Sequence, residues 1–483
     1  MMSINITDNL HKYLTGKVVF PVSNYLLNRK HITRNFQSSL ASQWYSVELL
    51  RDMQLKKLQQ TIHYAFTSVP YYKKKFTEIG LHPNDIRELE DIEQIPPLSR
   101  DELVKYHQQM VDYRLAPSVS IAEKQSKKSL GKPLPFAPFR KHKLIKNTSS
   151  GSSGEPVVYY EDGSTSATSW AFELLLKRWY DVQPGAKEVR MMRLSSDYMP
   201  NNTTARLRRL LWRQQALPGI SLSDSEYEMC LAAILKFKPE VLWGFVSALI
   251  GLAEYIKDNK KLVGSYRPKL IIGWAEPVYE HQEQFLSETF QCSVTDLYST
   301  HEVGHIAAKC PHGSSHINQE NLLVETQSAD DNFQNPGLGE ILVTTLYETP
   351  MPFIRYRVGD VGKVGGSKCT CGRNLQVLSK LAGRTTDIFM TKDGRMISPN
   401  FWFHLLRRDH LAGFIKQFQI VYRKDGGVCV NIVKKDGIST ATEPQLQRLI
   451  EKNLGLESSV EFVYVTEIQR AQSGKSKLIT WEE

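Results

Sequence analysis

Apolar residues recur along this chain at two alternating spacings, one helical and one of short β-type runs. Leu55, Leu58, Ile62 and Phe66 follow one another at helical intervals, which predicts an amphipathic helix over residues 46–68. Ser46 supplies an N-cap oxygen, and Glu48 puts an acid in the first turn, where the helix dipole favours it. The helix should stop before Pro70, because proline pushes its neighbour out of the α region. Pro96-Pro97 followed by Ser99-Arg100-Asp101-Glu102 predicts a rigid turn into another helix. Val157–Tyr160 reads as a strand, and Ala167–Tyr180 as a helix carrying Phe172, Leu175, Leu176 and Trp179. Ile271–Gly273, Ser293–Tyr298 and Ile341–Leu346 are further β-rich runs between helical stretches. Strands interleaved with helices predict an α/β protein with β-sheets flanked by helices.

Near Gly383 the pattern changes. Phe418–Tyr422 and Val428–Val433 flank Lys424-Asp425-Gly426-Gly427, which predicts a β-hairpin. Glu443–Leu454 reads as a helix and Val460–Val465 as a further strand. The expectation is a large N-terminal body of several subdomains over residues 1–382 and a small α+β domain over residues 383–483.

With 483 residues the chain can bury a large core without disulfide staples. Its uncharged apolar stretch Val241–Ala253 is too short for a membrane-spanning helix and contains Gly244 and Gly251. The first residues, MMSINITDNLHKYL, lack the apolar core of a secretory signal. Six cysteines in so long a chain fit a reducing compartment, so the expected location is cytoplasmic. The net charge of +10 is concentrated. Lys124, Lys127, Lys128, Lys132, Arg140, Lys141, Lys143 and Lys146 face one acid, Glu123, within residues 123–146. A second group is Arg206, Arg208, Arg209 and Arg213. Such charge is a solvated loop and helix face, or it meets a polyanion: phosphorylated ligands, an anionic membrane or polysaccharide surface, or nucleic acid. Nucleic acid ranks last, because no reading module accompanies the charge.

The most informative local segment is Asn147-Thr148-Ser149-Ser150-Gly151-Ser152-Ser153-Gly154-Glu155-Pro156. Glycines let the backbone approach a ligand closely. Successive N–H groups with Ser and Thr hydroxyls can then wrap phosphate oxygens. It is not the GxxxxGK[ST] loop, because no lysine follows the second glycine. A Ser/Gly run is also a common linker, but the strand-like Pro156-Val-Val-Tyr-Tyr continuation speaks against that here.

This loop resembles the phosphate loop of the acyl-adenylate-forming enzymes, and further segments follow in that family's order. Gly273-Trp274-Ala275-Glu276-Pro277 resembles its adenine-side Gly-Ala-Glu-Pro segment. Asp296-Leu-Tyr298-Ser299-Thr-His301-Glu302 resembles its Tyr-Gly-x-Ser/Thr-Glu motif. Gly339-Glu340 and Pro352-Phe-Ile-Arg355-Tyr-Arg357-Val-Gly359-Asp360 resemble the segment ending in Arg-Tyr-x-Thr-Gly-Asp. Gly383-Arg384 resembles the hinge, and Ser473-Gly474-Lys475 the C-terminal Ser-Gly-Lys. Val69-Pro70-Tyr71-Tyr72, Ile95-Pro96-Pro97 and the missing loop lysine resemble the phenylacetate–coenzyme A ligase-like branch, particularly members associated with capsular polysaccharide synthesis.

The resemblance implies ATP, Mg²⁺ and a two-step activation of a small carboxylic acid. Glu302 would hold Mg²⁺, a hard cation that takes carboxylate and phosphate oxygens. Thr148, Ser149, Ser150, Gly151, Ser152, Ser153 and Gly154 would wrap phosphate. Ala275, Glu276, Pro277, Tyr298 and Ser299 would bound the adenine. Asp360 would accept from the ribose hydroxyls and Arg384 would add its guanidinium fork. Lys475 would stabilise the charge that spreads over the α-phosphate as pyrophosphate leaves. The small domain would be mobile and turn about Gly383-Arg384 between steps. The acceptor would be the thiol of coenzyme A or an amine. Trp243, Gly244, Phe245, Trp274 and His301 are the candidate acyl-pocket residues, and their aromatic character suits a planar or apolar acid. A different class of reading is a catalytically reduced accessory protein of polysaccharide assembly that keeps the same fold; under either reading the expected location is the cytoplasm or the inner face of the membrane.

Three departures stand out: His301 in place of Ser or Thr, Ser299 in place of Gly, and Thr386 where many members place a hinge Asp. Separately, Cys310-Pro-His312-Gly-Ser-Ser-His316 and Cys369-Thr-Cys371 together offer three thiolates and an imidazole. That donor set is chemically reasonable for a closed tetrahedral Zn²⁺ site, with His316 preferred to His312. Related members of the branch carry a similar cluster in the same two places.

Overall fold

The described residues of the computed structural model are 12–19, 21–22, 30–115, 118–119, 144–149, 157–192, 209–220, 222–259, 266–327, 338–384, 389–390, 396–397, 402, 415–424, 427–434, 447, 450–451, 460–468 and 479–482. Helix α1 spans Lys30–Ser42 and α2 spans Val47–Ser68. The Ser46 side chain accepts the Leu49 N–H at 3.2 Å and so caps α2. Pro70 opens helix α3, Pro70–Glu78, at a first-turn position that needs no N–H donor. Helix α4, Arg100–Tyr106, starts with a reciprocal capping box between Ser99 and Glu102.

Strands β1 (Ile145–Ser149) and β2 (Val157–Glu161) form an antiparallel pair. Helix α5 follows over Gly163–Trp179, four residues earlier than the apolar pattern alone predicts. Its first turn, Gly-Ser-Thr-Ser, carries no apolar residue, and Asp162 fixes it by accepting the Ser164 and Thr165 N–H groups at 3.0 Å. Next come β3 (Glu188–Met192), β4 (Gln214–Pro218), α6 (Asp224–Phe237), β5 (Val241–Phe245), α7 (Val246–Asp258), β6 (Leu270–Trp274), α8 (Glu280–Phe290), β7 (Ser293–Thr300), β8 (Gly304–Lys309) and β9 (Ser315–Ile317). These strands form a seven-stranded sheet ordered β4-β3-β5-β6-β7-β8-β9. It is parallel from β4 to β7 and antiparallel from β7 to β9.

The strand period of two sends alternate residues to two separate cores. Trp243, Ile272 and Leu297 pack with Ala171, Phe172 and Leu175 of α5 on one face. Leu242, Ile271 and Val294 pack with Ile234 of α6, Leu249 and Leu252 of α7, and Leu286 of α8 on the other. Burial on both faces explains why Val241–Ala253 reads as one apolar run: it is strand β5 passing directly into α7.

Strands β10 (Leu322–Gln327), β11 (Gly339–Thr345), β12 (Tyr356–Val364) and β13 (Leu378–Arg384) form a second sheet in that order. After the short pair β14 (Phe389–Met390) and β15 (Met396–Ile397) come β16 (Ile415–Tyr422), β17 (Val428–Lys434), β18 (Val460–Tyr464) and β19 (Ile479–Trp481), ordered β18-β17-β16-β19. β16 and β17 pair antiparallel, as the hairpin pattern predicts. Trp402, Tyr422, Val430 and Ile450 lie in the core of this last sheet. The chain divides into two compact units: Met1–Glu325 with Leu342–Arg357 and Gly365–Leu378, and Thr326–Ile341 with Val358–Val364 and Ser379–Glu483. Most of the helix predicted over Glu443–Leu454 lies outside the described residues. No described helix is long and apolar enough to cross a membrane.

Candidate functional site

Strand order in the large sheet reverses between β3 and β5, since β4 lies on one side of β3 and β5, β6 and β7 on the other. The crevice beyond the carboxyl ends of the strands at such a switch point is where open α/β sheets bind ligands. Gly244 partners Met191 there, and a Cβ at Gly244 would lie 2.9 Å from the Met191 carbonyl oxygen. Phe245 and Trp274 end β5 and β6 in register, with rings stacked 5.6 Å apart. Trp274 Nε1 donates to Ser299 Oγ of β7 at 2.9 Å. Side chains from three strand ends therefore form one continuous wall.

Ala275, next after this wall, has a φ of +64°, a left-handed conformation that costs energy for a residue with a Cβ. The Glu276 carboxylate accepts the Ser247 N–H at 2.7 Å and the Ser247 hydroxyl at 3.1 Å, and so caps α7; Pro277 follows it. Tyr298 and Glu302 are half-buried, and His301 is exposed in the turn joining β7 to β8. That turn lies directly on α5: Gly304 has a φ of +77°, and a Cβ there would meet Ser169 Oγ at 2.3 Å.

Thr148 and Ser149 lie on β1, with Ser149 opposite Val157. Asn147 donates across this hairpin to Glu161, whose carboxyl burial pushes up to about 7 against that hydrogen bond. In the second unit, Arg384 Nε lies 3.7 Å from Oδ1 of the buried Asp360, so the two ribose candidates meet. Ser150, Gly151, Ser152, Ser153, Gly154, Thr386, Lys475 and the basic residues 123–143 lie outside the described residues.

Sequence reasoning missed a buried charge network on the α5 face of the sheet. Lys177 Nζ lies 2.6 Å from Glu173 and 2.5 Å from Glu188, while Arg190 pairs with both acids. Arg190 also packs its guanidinium 4.8 Å from the ring centre of Trp243 and 5.1 Å from that of Trp170. Trp243 is itself only 2% exposed. Burial opposes ionisation of Glu173, but Arg190 and Lys177 outweigh it and hold its carboxyl down at about 2. His305 of β8 lies 6.4 Å from Trp243, and burial pushes its imidazole down to about 4. The visible signals were Glu173 and Lys177 four apart in an apolar helix, and Glu188 and Arg190 two apart in a strand.

Cys310, His316, Cys369 and Cys371 come together with their ligand atoms all within 4.8 Å of one another. Cys310 Sγ and Cys369 Sγ are 3.7 Å apart, and Cys371 Sγ and His316 Nε2 are 3.2 Å apart. Tetrahedral edges around Zn²⁺ are about 3.8 Å for two sulfurs and about 3.6 Å for sulfur and nitrogen, so the donor set fits. His316 Nδ1 donates to the Leu375 carbonyl at 3.4 Å, which turns Nε2 toward the thiols. His312 turns away to Thr370. The Trp179 ring packs edge-on to His316 and against Arg373, whose guanidinium also lies over Trp44.

The comparisons agree with this layout. Residues 389–482 match the family model described as the CapK C-terminal domain. A phenylacetate-coenzyme A ligase of Thermus thermophilus is 23% identical over 468 residues, 89% of this chain and 96% of the relative. Protein CapK of Staphylococcus aureus is 20% identical over 348 residues, 70% of this chain and 74% of the relative. The crystal structure of a 2-hydroxyisobutyryl-CoA ligase in its postadenylation state superposes with a TM-score of 0.69 at 19% identity, covering 91% of both chains. The fold is that of the acyl-adenylate-forming enzymes. Within that fold the chain is similar to phenylacetate–coenzyme A ligases and to CapK.

The charge network gives a direct test. Lys177→Met leaves Glu173 and Glu188 buried with one cation fewer, and should cost about 3–5 kcal/mol of stability in urea unfolding. A loss below about 1 kcal/mol would show that the network is solvated.

Proposed function

We propose that this chain is an ATP-dependent ligase that activates a carboxylic acid as an acyl-adenylate and transfers the acyl group to the thiol of coenzyme A. The observation that carries the reading is the meeting of two separate sequence segments at the carboxyl ends of β6 and β7. Trp274 of Gly273–Pro277 bonds Ser299 of Asp296–Glu302 beside the strained Ala275. The names of the Thermus thermophilus relative and of the matched solved structure, both coenzyme A ligases, support it.

A free carboxylate is a poor electrophile, and AMP is a far better leaving group than oxide. Glu302 would hold Mg²⁺, which neutralises phosphate charge when bound. Asp360 would accept from the ribose hydroxyls, with the Arg384 guanidinium beside it. The Ser150–Gly154 loop would cradle phosphate, and Lys475 would stabilise the charge developing at the α-phosphate. The domain from Gly383 onward would turn about Gly383-Arg384 between the two half-reactions. Gly383 supports a pivot there, because its φ of +121° is strained for any residue with a Cβ.

Cys310, His316, Cys369 and Cys371 would hold one structural Zn²⁺, tying the turn after β8 to residues 369–371. Metal analysis of the purified chain should find about one zinc per chain. Replacing Cys369 and Cys371 by Ser should remove it and lower the thermal midpoint by several degrees or more. Metal-free protein of unchanged stability would contradict the site.

Lys475→Ala should lower acid-dependent ATP–pyrophosphate exchange by about 10²-fold or more. Its conversion of a supplied acyl-adenylate to the thioester should fall far less. Equal loss of both steps would remove the role given to Lys475.

A further inference from the structure

We propose that the acid activated here carries a neutral hydrogen-bonding group, such as a hydroxyl, beyond its carboxylate, and that His305 reads it. This rests on the ligase reading above and specifies its substrate class.

Five side chains follow one another in a row at the switch point: Phe245, Trp274, Ser299, His305 and Trp243. Phe245 stacks on Trp274, and Trp274 donates to Ser299. Ser299 partners His305 across β7 and β8, just past a bulge in that strand pair. The ring of His305 lies 6.4 Å from that of Trp243. Four of the five are aromatic rings or a small hydroxyl already hydrogen-bonded to Trp274. His305 differs, because its Nδ1 is buried and has no hydrogen-bond partner among the described residues. Protein interiors pair such groups almost always, and a group left unpaired beside a binding crevice marks a contact that the ligand completes.

What lies behind these side chains sets the kind of group. Arg190, the register partner of Trp243, is locked to Glu173 and Glu188, with Lys177 bridging the same two acids. Two cations and two anions leave no net charge to attract an ionised substituent. A plain hydrocarbon tail would satisfy the aromatic walls but leave Nδ1 unpaired. A neutral hydroxyl satisfies both.

The test is ATP-dependent pyrophosphate release with three acid pairs: phenylacetate and 4-hydroxyphenylacetate, butyrate and 3-hydroxybutyrate, hexanoate and 6-hydroxyhexanoate. In at least one pair the hydroxylated acid should exceed its plain partner in kcat/KM by about tenfold or more. His305→Phe should erase that preference by slowing the hydroxylated acid, while His305→Gln, which keeps hydrogen-bonding capacity, should retain most of it. A merely structural role for His305 would slow both members of a pair alike. The inference is overturned if the plain acid matches or exceeds its partner in every pair, a result the unmodified protein gives whether or not the variants fold. It is also overturned if His305→Phe leaves the preference intact. No pyrophosphate release from any acid by protein that binds ATP would instead overturn the ligase reading, and this inference with it.

Discussion

A parallel sheet covered on both faces can present chemistry only at its strand ends. Here α5 covers one face and α6, α7 and α8 the other, so Trp243 and Leu242, neighbours on one strand, belong to different cores. That double burial fixes the register of β3, β5, β6 and β7, because a slip of one residue would exchange the two cores. It also aligns the carboxyl ends from which Phe245, Trp274 and Ser299 emerge. The placement of the candidate site follows from packing before any particular side chain is considered.

The buried charges behind the site need a reason, because packing alone does not favour them. Removing a charge from water costs several kcal/mol even after relaxation, and a hydrophobic replacement of a whole network is often neutral or stabilising. Glu173, Lys177, Glu188 and Arg190 are each at most 9% exposed, yet they balance and share their contacts. Such a network gives Trp243 and Trp170 one fixed position against the guanidinium, which a patch of leucines would not do. The cost is consistent with a pocket wall that must hold its shape.

The parts legible in the sequence were those whose signals are local. Ser46 and Ser99 announced helix starts by cap chemistry, and Lys424–Gly427 announced the hairpin. Strand β3 was illegible because Glu188 and Arg190 look like surface charges until their partners on α5 are known. The run Val241–Ala253 hid a strand and a helix, since apolar continuity alone cannot separate a doubly buried strand from the helix that follows. In the site, Cys310, His316, Cys369 and Cys371 stood out by residue type. His305 did not, because a single histidine in a strand acquires meaning only from Ser299 opposite it and Trp243 beside it. Trp243, read from the sequence as a pocket residue, is covered by Arg190 and contributes through that packing.

The central claim is that this chain makes an acyl-adenylate and passes the acyl group to a thiol. Mass spectrometry of the products formed from ATP, Mg²⁺, coenzyme A and a library of carboxylic acids and amines tests it most directly. The account predicts AMP, pyrophosphate and an acyl–coenzyme A whose mass identifies the acid. AMP and pyrophosphate with an amide in place of the thioester would contradict the acceptor, and ATP left intact with every acid would contradict the claim as a whole.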